Sequence, residues 1–170
     1  KPFSLAMALD TGKVNLNSSS EATQPLHIGG FTSHDFHGQR RWLTLPEVFQ
    51  YSSNVGTARI IDIVGIDAQK DYLTKLGLLT KMKTELPEVK MPSQPKVWKK
   101  INSVTISFGH GVSTTPLQTA VAGAALVNGG KLIEPTFLPR NRDQADDVAE
   151  VVVKKSTSDD VRYLFKVNGV

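Results

Sequence analysis

Apolar residues with helical spacing alternate with polar stretches along most of the 170-residue chain. Residues 3 to 9, rich in alanine, leucine and methionine, predict a first helix that is buried. Thr44 and Glu47 have the spacing of a capping box, which predicts the start of a second, short helix ending near Tyr51. After a Ser-Ser-Asn break, the pattern predicts a third helix that stops at Gly65.

Three more helices are predicted downstream. One is expected over residues 67–77, with Asp67 as its N-cap. Residues 117–127 are mostly alanine, valine and leucine, so we expect the longest helix there, buried nearly all round. A last helix is predicted near the end of the sequence, with Ser156 or Thr157 as its N-cap.

Strand signals are fewer and lie mainly toward the C-terminal side. Residues 101–108 alternate enough to predict a strand or extended segment, residues 131–133 an edge strand and residues 148–153 another strand. The polar stretch 15–41 predicts a long surface loop with short strand-like pieces, and long ordered loops are often functional. Residues 81–99, rich in lysine and proline, predict a second loop. The expected fold class is therefore α+β, with helices dominant.

Composition narrows the possible functions. The net charge is +4, but the basic residues are scattered and lack the interleaved aromatic residues of a nucleic-acid surface, so no nucleic-acid partner is expected. Without cysteine the chain has no disulfide and no thiolate metal site, which leaves the compartment open. No apolar run approaches the roughly 20 residues that a membrane span requires.

The polar stretch Ser52-Ser53-Asn54 has two interpretations. Serine and asparagine are favoured N-cap residues, so Ser53 or Asn54 can simply begin the following helix. A serine hydroxyl can also pass a proton, and an asparagine amide can donate and accept hydrogen bonds, so a Ser-x-Asn turn can hold a peptide-like substrate. Both interpretations hold together if Ser53 is the cap while Ser52 and Asn54 face outward.

Other candidate sites are weaker. Gly109-His110-Gly111 lacks the Gly-Lys-Ser/Thr ending of a phosphate-binding loop, so a tight turn into the next helix is favoured. His34, Asp35 and His37 have no further ligand at convincing spacing, and a polar surface loop is the preferred interpretation. No metal or cofactor is therefore expected.

Three segments together resemble a known family. "KPF" opening an Ala/Leu-rich helix, "LTLPEVFQYSSNVGTARI" and "ISFGHGVSTTPLQTAVAGAALVNGGKLIEPTFL" follow in order and are similar to the transpeptidase domain of class B penicillin-binding proteins, of the septal, cell-division type. The resemblance implies the helix-rich core of a penicillin-binding-protein transpeptidase domain, which is serine β-lactamase-like, with most of the central antiparallel sheet missing.

The resemblance also implies roles for three residues. Lys1 matches the lysine of the family's Ser-x-x-Lys motif, and Ser52 and Asn54 match its Ser-x-Asn motif. By analogy, the lysine takes the hydroxyl proton of the nucleophilic serine during its attack, Ser52 relays a proton to the leaving amine and Asn54 hydrogen-bonds the substrate amide. The implied activity is peptidoglycan D,D-transpeptidation from D-Ala-D-Ala stem peptides in septal cell-wall synthesis, and it is inhibited by β-lactams.

Two family motifs are absent from this sequence. The nucleophilic serine is expected three residues before Lys1, and no Lys-Thr-Gly or Lys-Ser-Gly occurs up to Val170. We therefore expect residues 1–170 to form a partial transpeptidase domain, truncated at both ends and inactive alone. Intact-mass detection of a penicilloyl adduct on this chain would contradict that expectation.

The resemblance further implies partners and a location. Stem peptides and β-lactams are the expected ligands, and division-machinery membrane proteins are expected partners of the full-length protein. The expected location is the bacterial inner membrane, with the catalytic domain in the periplasm and the anchor outside these residues. Two alternatives remain at this point: a D,D-carboxypeptidase or β-lactamase relative, and a non-catalytic binding module.

Overall fold

The computed structural model describes residues 1–169, so Val170, the last residue of the expected domain, lies outside them. The described residues form eight helices: α1 Pro2–Asp10, α2 Leu45–Gln50, α3 Asn54–Val64, α4 Ile66–Lys75, α5 Lys100–Ser107, α6 Pro116–Val127, α7 Arg142–Asp147 and α8 Lys155–Asn168. They also form six three-residue strands: β1 Ser19–Glu21, β2 Leu26–Ile28, β3 Phe31–Ser33, β4 Trp42–Thr44, β5 Lys131–Ile133 and β6 Ala149–Val151.

The strands make three separate antiparallel pairs. β1 pairs with β4, β2 pairs with β3 in a hairpin, and β5 pairs with β6. The expected α+β class, helix-rich and with little of a central sheet, is confirmed. Across residues 1–169, no helix combines the length and apolar character required to cross a bilayer.

Helix α1 is the centre of the core. Six consecutive residues, Ser4–Leu9, are buried, and the helix packs against α2, α3, α4, α6 and α8. Burial on every side explains why α1 has no polar face in the sequence. The buried apolar side chains around it form one continuous cluster, with Leu43, Leu45, Ile61, Leu126 and Leu164 among its largest members.

The C-terminal end of α1 is tied to the start of α8 by one carboxylate. Asp10 accepts hydrogen bonds from the backbone N–H of Lys154 at 2.7 Å and from the Thr157 hydroxyl at 2.7 Å. The Tyr72 hydroxyl of α4 donates to the same side chain. Asp10 therefore satisfies the backbone N–H of Lys154, the N-cap residue of α8, as the N3 side chain of a capping box does, although it lies 144 residues from Lys154 in sequence.

Some of the predicted helix boundaries are confirmed and others are wrong. The predicted buried first helix and the Thr44–Glu47 capping box are confirmed. The last helix begins at Lys155 after the N-cap Lys154, so the cap predicted at Ser156 or Thr157 is wrong, because both residues lie within the first turn and the Thr157 hydroxyl donates to Asp10. The cap predicted at Asp67 is also wrong, since α4 begins directly after Gly65.

The predicted strand at residues 101–108 is wrong, because these residues form most of α5. The β-branched residues favoured a strand, but the buried side chains of Ser103, Val104 and Ser107 have helical spacing. The Ser103 hydroxyl donates to the Gln69 side chain at 2.5 Å, and the Ser4 hydroxyl donates to the Ser107 carbonyl at 2.7 Å. Tertiary contacts of small polar residues therefore decide this element.

Helix α6 is not the longest helix, and it is more exposed than predicted. It has 12 residues against 14 in α8, and only Gln118, Ala122, Ala125 and Leu126 are buried. Its alanine-rich composition reflects high helix propensity rather than burial on all sides. The Gln118 amide nevertheless enters the core and donates to the carbonyls of Gly77 and Thr80, which fixes the loop after α4.

Two glycines in helices meet different surroundings, which gives a first prediction. A Cβ at Gly56 in α3 would lie 2.7 Å from a Val48 methyl group of α2, whereas a Cβ at Gly123 in α6 would meet nothing within 4 Å. Gly123→Ala should raise the free energy of unfolding by about 0.5–1 kcal/mol through helix propensity. Gly56→Ala should lower it by about 1–3 kcal/mol because α2 and α3 must separate. Urea denaturation of both variants measures the difference, and equal effects would contradict the close packing.

The three hydrogen bonds that Asp10 accepts give a second prediction. Burial raises the pKa of Asp10, but the hydrogen bonds from Tyr72, Lys154 and Thr157 outweigh burial and leave the pKa below its ordinary value. Asp10→Asn should therefore lower the free energy of unfolding at pH 7 by about 2 kcal/mol. Because the lowered pKa belongs to the folded state, this difference should shrink as the pH falls below about 4.

Chemical denaturation at pH 7 and at pH 3 measures that dependence. Asp159→Asn is the matched control, since Asp159 forms only an exposed i, i+4 pair with Lys155. The control should change stability by less than about 0.5 kcal/mol at either pH. A D10N effect that stays constant with pH would show that the carboxylate charge is not what stabilises the junction.

Candidate active site

The Ser52-Ser53-Asn54 turn joins α2 to α3. Ser53 is the N-cap of α3: its side chain accepts a hydrogen bond from the Gly56 N–H at 2.8 Å, and the residue is buried. Ser52 is exposed and Asn54 is half-buried. The predicted division, with Ser53 as the cap while its two neighbours remain accessible, is confirmed.

Ser52 has an unusual backbone conformation. Its φ of 52° lies in the left-handed region, which non-glycine residues adopt at a cost of about 1 kcal/mol. The backbone N–H of Ser52 donates to the Phe49 carbonyl and that of Ser53 donates to the Val48 carbonyl, so the turn closes the end of α2. This conformation holds the Ser52 side chain away from the core at the point where the helices meet.

Lys1 and Ser52 are in direct contact. The Lys1 ammonium Nζ donates to Ser52 Oγ at 2.7 Å, although the residues lie 51 positions apart. The contact results from the packing of α1 against α3, because Lys1 is the N-cap of α1. Desolvation lowers the pKa of the Lys1 side chain, and the nearby charge of Asp35 opposes this shift without cancelling it.

Asp35 organises the turn from the opposite side. One carboxylate oxygen accepts from the Ser53 hydroxyl at 2.6 Å, and the other accepts from the backbone N–H groups of Asn54 and Val55 at 2.5 and 3.0 Å. An anionic acceptor at a helix N-terminus is favourable because it satisfies free N–H groups and interacts with the helix dipole. Asp35 therefore holds Ser53 by its side chain and Asn54 by its backbone N–H.

The Asn54 side chain is held by the same loop. Its amide Nδ2 donates to the His34 carbonyl at 3.3 Å. The side-chain oxygen makes no hydrogen bond to any residue within 1–169. The amide is thereby oriented while its acceptor stays available.

Helix α2 is anchored at its start by a second charged residue. The Arg41 guanidinium donates to both carboxylate oxygens of Glu47, at 3.1 and 2.6 Å, while Glu47 also accepts from the Thr44 N–H. The hydrogen bond from Arg41, together with those from Thr44, lowers the pKa of Glu47 to about 2. The ion pair with Arg41 therefore reinforces the capping box at the start of α2, the helix that leads into the Ser52-Ser53-Asn54 turn.

The remaining sequence candidates behave as surface features. Gly109 and Gly111 have φ of 107° and 101°, as expected for the tight turn that was favoured over a phosphate loop. His34 and His37 lie in an exposed loop, and residues 1–169 contain no group of side chains arranged to hold a metal ion.

Asp35 is the residue that the sequence did not reveal as part of this site. The sequence pattern groups Asp35 only with His34 and His37, as a possible metal ligand. Asp35 lies 18 positions before Ser53. No local pattern links a loop carboxylate to a distant helix start. The one available signal was the length and polarity of the loop itself, which predicted a functional segment.

Comparisons with known proteins agree with this arrangement. The family described as "Penicillin binding protein transpeptidase domain" matches residues 1–169. The probable peptidoglycan D,D-transpeptidase FtsI of Caulobacter vibrioides is 42% identical over 132 residues, covering 78% of this chain and 22% of that protein. The probable peptidoglycan D,D-transpeptidase PenA of Neisseria gonorrhoeae is 32% identical over 166 residues, covering 96% of this chain and 28% of that protein.

Solved structures share the fold. The transpeptidase domain of Burkholderia pseudomallei penicillin-binding protein 3 superposes with a TM-score of 0.89 at 28% identity, covering 96% of this chain and 50% of that one. A peptidoglycan glycosyltransferase from Burkholderia ambifaria has the same TM-score at 26% identity, covering 96% of this chain and 52% of that one. The chain thus spans about a quarter of the curated relatives and about half of these solved chains.

Family match, relatives and structural neighbours agree with one another across nearly the whole described chain. The chain belongs to the penicillin-binding protein transpeptidase domain family, in its class B branch.

Proposed function

We propose that this chain supplies one wall of a serine D,D-transpeptidase site that acts on D-Ala-D-Ala stem peptides during septal peptidoglycan synthesis. The observation that carries the proposal is the 2.7 Å hydrogen bond from Lys1 Nζ to Ser52 Oγ. It joins the lysine of one family motif to the serine of the other. The relatives named as D,D-transpeptidases support the reaction class.

The contact supports a proton path. In the proposed acylation, a serine hydroxyl attacks the carbonyl carbon of the D-Ala-D-Ala amide and loses its proton to the neutral Lys1 amine. The bond to the terminal D-Ala nitrogen breaks, and that nitrogen receives a proton through the Ser52 hydroxyl. A lowered pKa of Lys1 supports this role, because more of the amine is neutral near pH 7 than for an ordinary lysine.

Asn54 is proposed to orient the substrate. A peptide amide offers one donor and one acceptor, and the Asn54 side-chain oxygen is available to accept the substrate N–H. Because Nδ2 already donates to the His34 carbonyl, the amide is held in one orientation before substrate arrives. Pre-orientation lowers the entropy cost of binding.

The second substrate and the location follow from the family. We propose that the acyl-enzyme is resolved by an amine of a neighbouring stem peptide, which forms the cross-link, and that β-lactams trap the same serine. The domain would act in the periplasm, attached to the inner membrane through segments outside these residues, together with membrane proteins of the division machinery. The similarity to a relative named FtsI supports a role in division.

Labelling with a fluorescent penicillin tests the proposal. We expect no labelling of the 170-residue chain and strong labelling of a version extended at both ends, each read on a denaturing gel. In the extended version, Ser52→Ala and Asn54→Ala should each lower the acylation rate by about 10²-fold or more, the scale for removing a positioned catalytic hydrogen bond.

Ser156→Ala is the matched control, since Ser156 is exposed at the start of α8 and far along the chain from the motif. It should leave the labelling rate unchanged. If the extended version is not labelled, the assignment of Lys1, Ser52 and Asn54 to acyl transfer is wrong. A non-catalytic binding module would then be the better description.

A separate prediction concerns the support of the motif. Asp35→Asn keeps the size of the side chain but turns one acceptor oxygen into a donor that faces Ser53 or the α3 N-terminus. The extended protein should then be acylated about tenfold more slowly, since losing one hydrogen bond to a charged group costs about 1.5 kcal/mol. Stopped-flow acylation measures the rate.

Asp71→Asn, an exposed carboxylate on α4, is the matched control and should acylate at the wild-type rate. Equal rates for the two variants would mean that Asp35 does not position the motif.

A further inference from the structure

A cavity of about 430 Å³ lies directly behind the Ser-x-Asn turn. Its walls include Thr23, Gln24, His34, Asp35, Arg40 and Val55. This volume is within the range of pockets that bind small ligands. Lys1 and Ser52 do not line it, so it is distinct from the face on which acylation is proposed.

Arg40, an exposed residue of the cavity wall, forms no ion pair within residues 1–169. Ion pairs among residues 1–169 include Arg41 with Glu47 but none for Arg40. The carboxylate in the wall, Asp35, is already used on both oxygens by Ser53 and the start of α3. Arg40 is therefore the charge available to a ligand, and guanidinium groups bind carboxylates in a bidentate geometry.

Arg40 is also held in a costly backbone conformation. Its φ of 53° is in the left-handed region, where glycine is the usual residue. Among residues 1–169, Arg40 and Ser52 are the non-glycine residues with positive φ. Strain of this kind concentrates at ligand-binding positions, and here it coincides with an unpaired arginine in a cavity.

We propose that this cavity binds a carboxylate group of a peptide, namely that of the second, amine-donating stem peptide. This inference rests on the proposed transpeptidase function. The remaining wall provides the side-chain amide of Gln24, whereas the hydroxyl and N–H of Thr23 already donate to Glu21. Bound peptide would contact the same loop residues that hold the motif, since His34 accepts from Asn54 and Asp35 accepts from Ser53.

A titration on this chain tests the proposal without requiring acylation. The probe is the tripeptide L-Ala-γ-D-Glu-L-Lys with free carboxylates, compared with the same tripeptide in which both carboxyl groups are amidated. Binding is followed by backbone amide NMR shifts of Thr23, Gln24 and Asp35. The acid should bind at least tenfold more tightly than the amide. Sodium acetate should shift the same signals at least tenfold more weakly than the tripeptide acid.

Arg40→Gly is the decisive variant, because it removes both the guanidinium and the strain. It should keep or exceed the wild-type Tm while the acid loses its tenfold advantage over the amide. Arg40→Lys, which keeps the charge, should retain part of that advantage. Arg162→Ala is the matched control on the exposed side of α8 and should bind as wild type.

Each result decides one point. Equal binding of acid and amide by the wild type, or an unchanged preference in R40G, overturns the carboxylate site. Acetate binding as tightly as the tripeptide overturns the peptide ligand and leaves a simple anion site. Penicillin labelling of the extended protein with no acid preference overturns this inference alone, whereas absent labelling with a preserved preference overturns only the transpeptidase function.

Discussion

The burial of six consecutive residues of α1, Ser4–Leu9, is the constraint on which the rest of the structure depends. A nine-residue helix without a polar face can place polar groups only at its two ends, and both ends are used. Lys1 at the start contacts Ser52, and Asp10 at the end binds the start of α8. Because α1 is held by the core, the positions of both polar contacts at its ends are fixed. The candidate site therefore depends on a well-packed core.

The loop between β1 and β4 supplies a hydrogen-bond acceptor that the helices do not provide. Helix packing brings Lys1 to Ser52, but it leaves the N–H groups at the start of α3 without an acceptor. Asp35 provides that acceptor, and with it the Ser53 hydroxyl is fixed. The turn between α2 and α3 is thus held by the packed core on one side and by the carboxylate of Asp35 on the other.

Elements with local signals could be predicted from the sequence. The apolar composition of α1, the Thr44–Glu47 capping box and the Ser53 cap all lie within a few residues of the feature they determine. The two accessible motif residues were assigned through family resemblance, and the fold of that family is confirmed. The wrong predictions concern elements whose hydrogen-bond partners are distant in sequence. Helix α5 is set by contacts of its serines with Gln69 and Ser4, which no window of neighbouring residues contains.

Two aspartates, Asp10 and Asp35, also have roles that could not be predicted from neighbouring residues in the sequence. Asp10 accepts the N–H of Lys154, the N-cap residue of α8, and Asp35 supports the motif from 18 positions away. An exposed aspartate in a loop and one at a helix end are both ordinary in a sequence. Their roles exist only after the chain is folded, because the N–H groups that they satisfy belong to other elements.

The junction between Asp10 and α8 also sets an order of assembly. Its partners lie 144 and 147 residues apart, so the closure of α8 onto α1 is among the most non-local events in the chain. During synthesis, the apolar surface of α1 that α8 covers stays open until residues 155–168 have left the ribosome. An apolar surface of the first helix therefore faces solvent while the 144 residues from Asp10 to Lys154 are made.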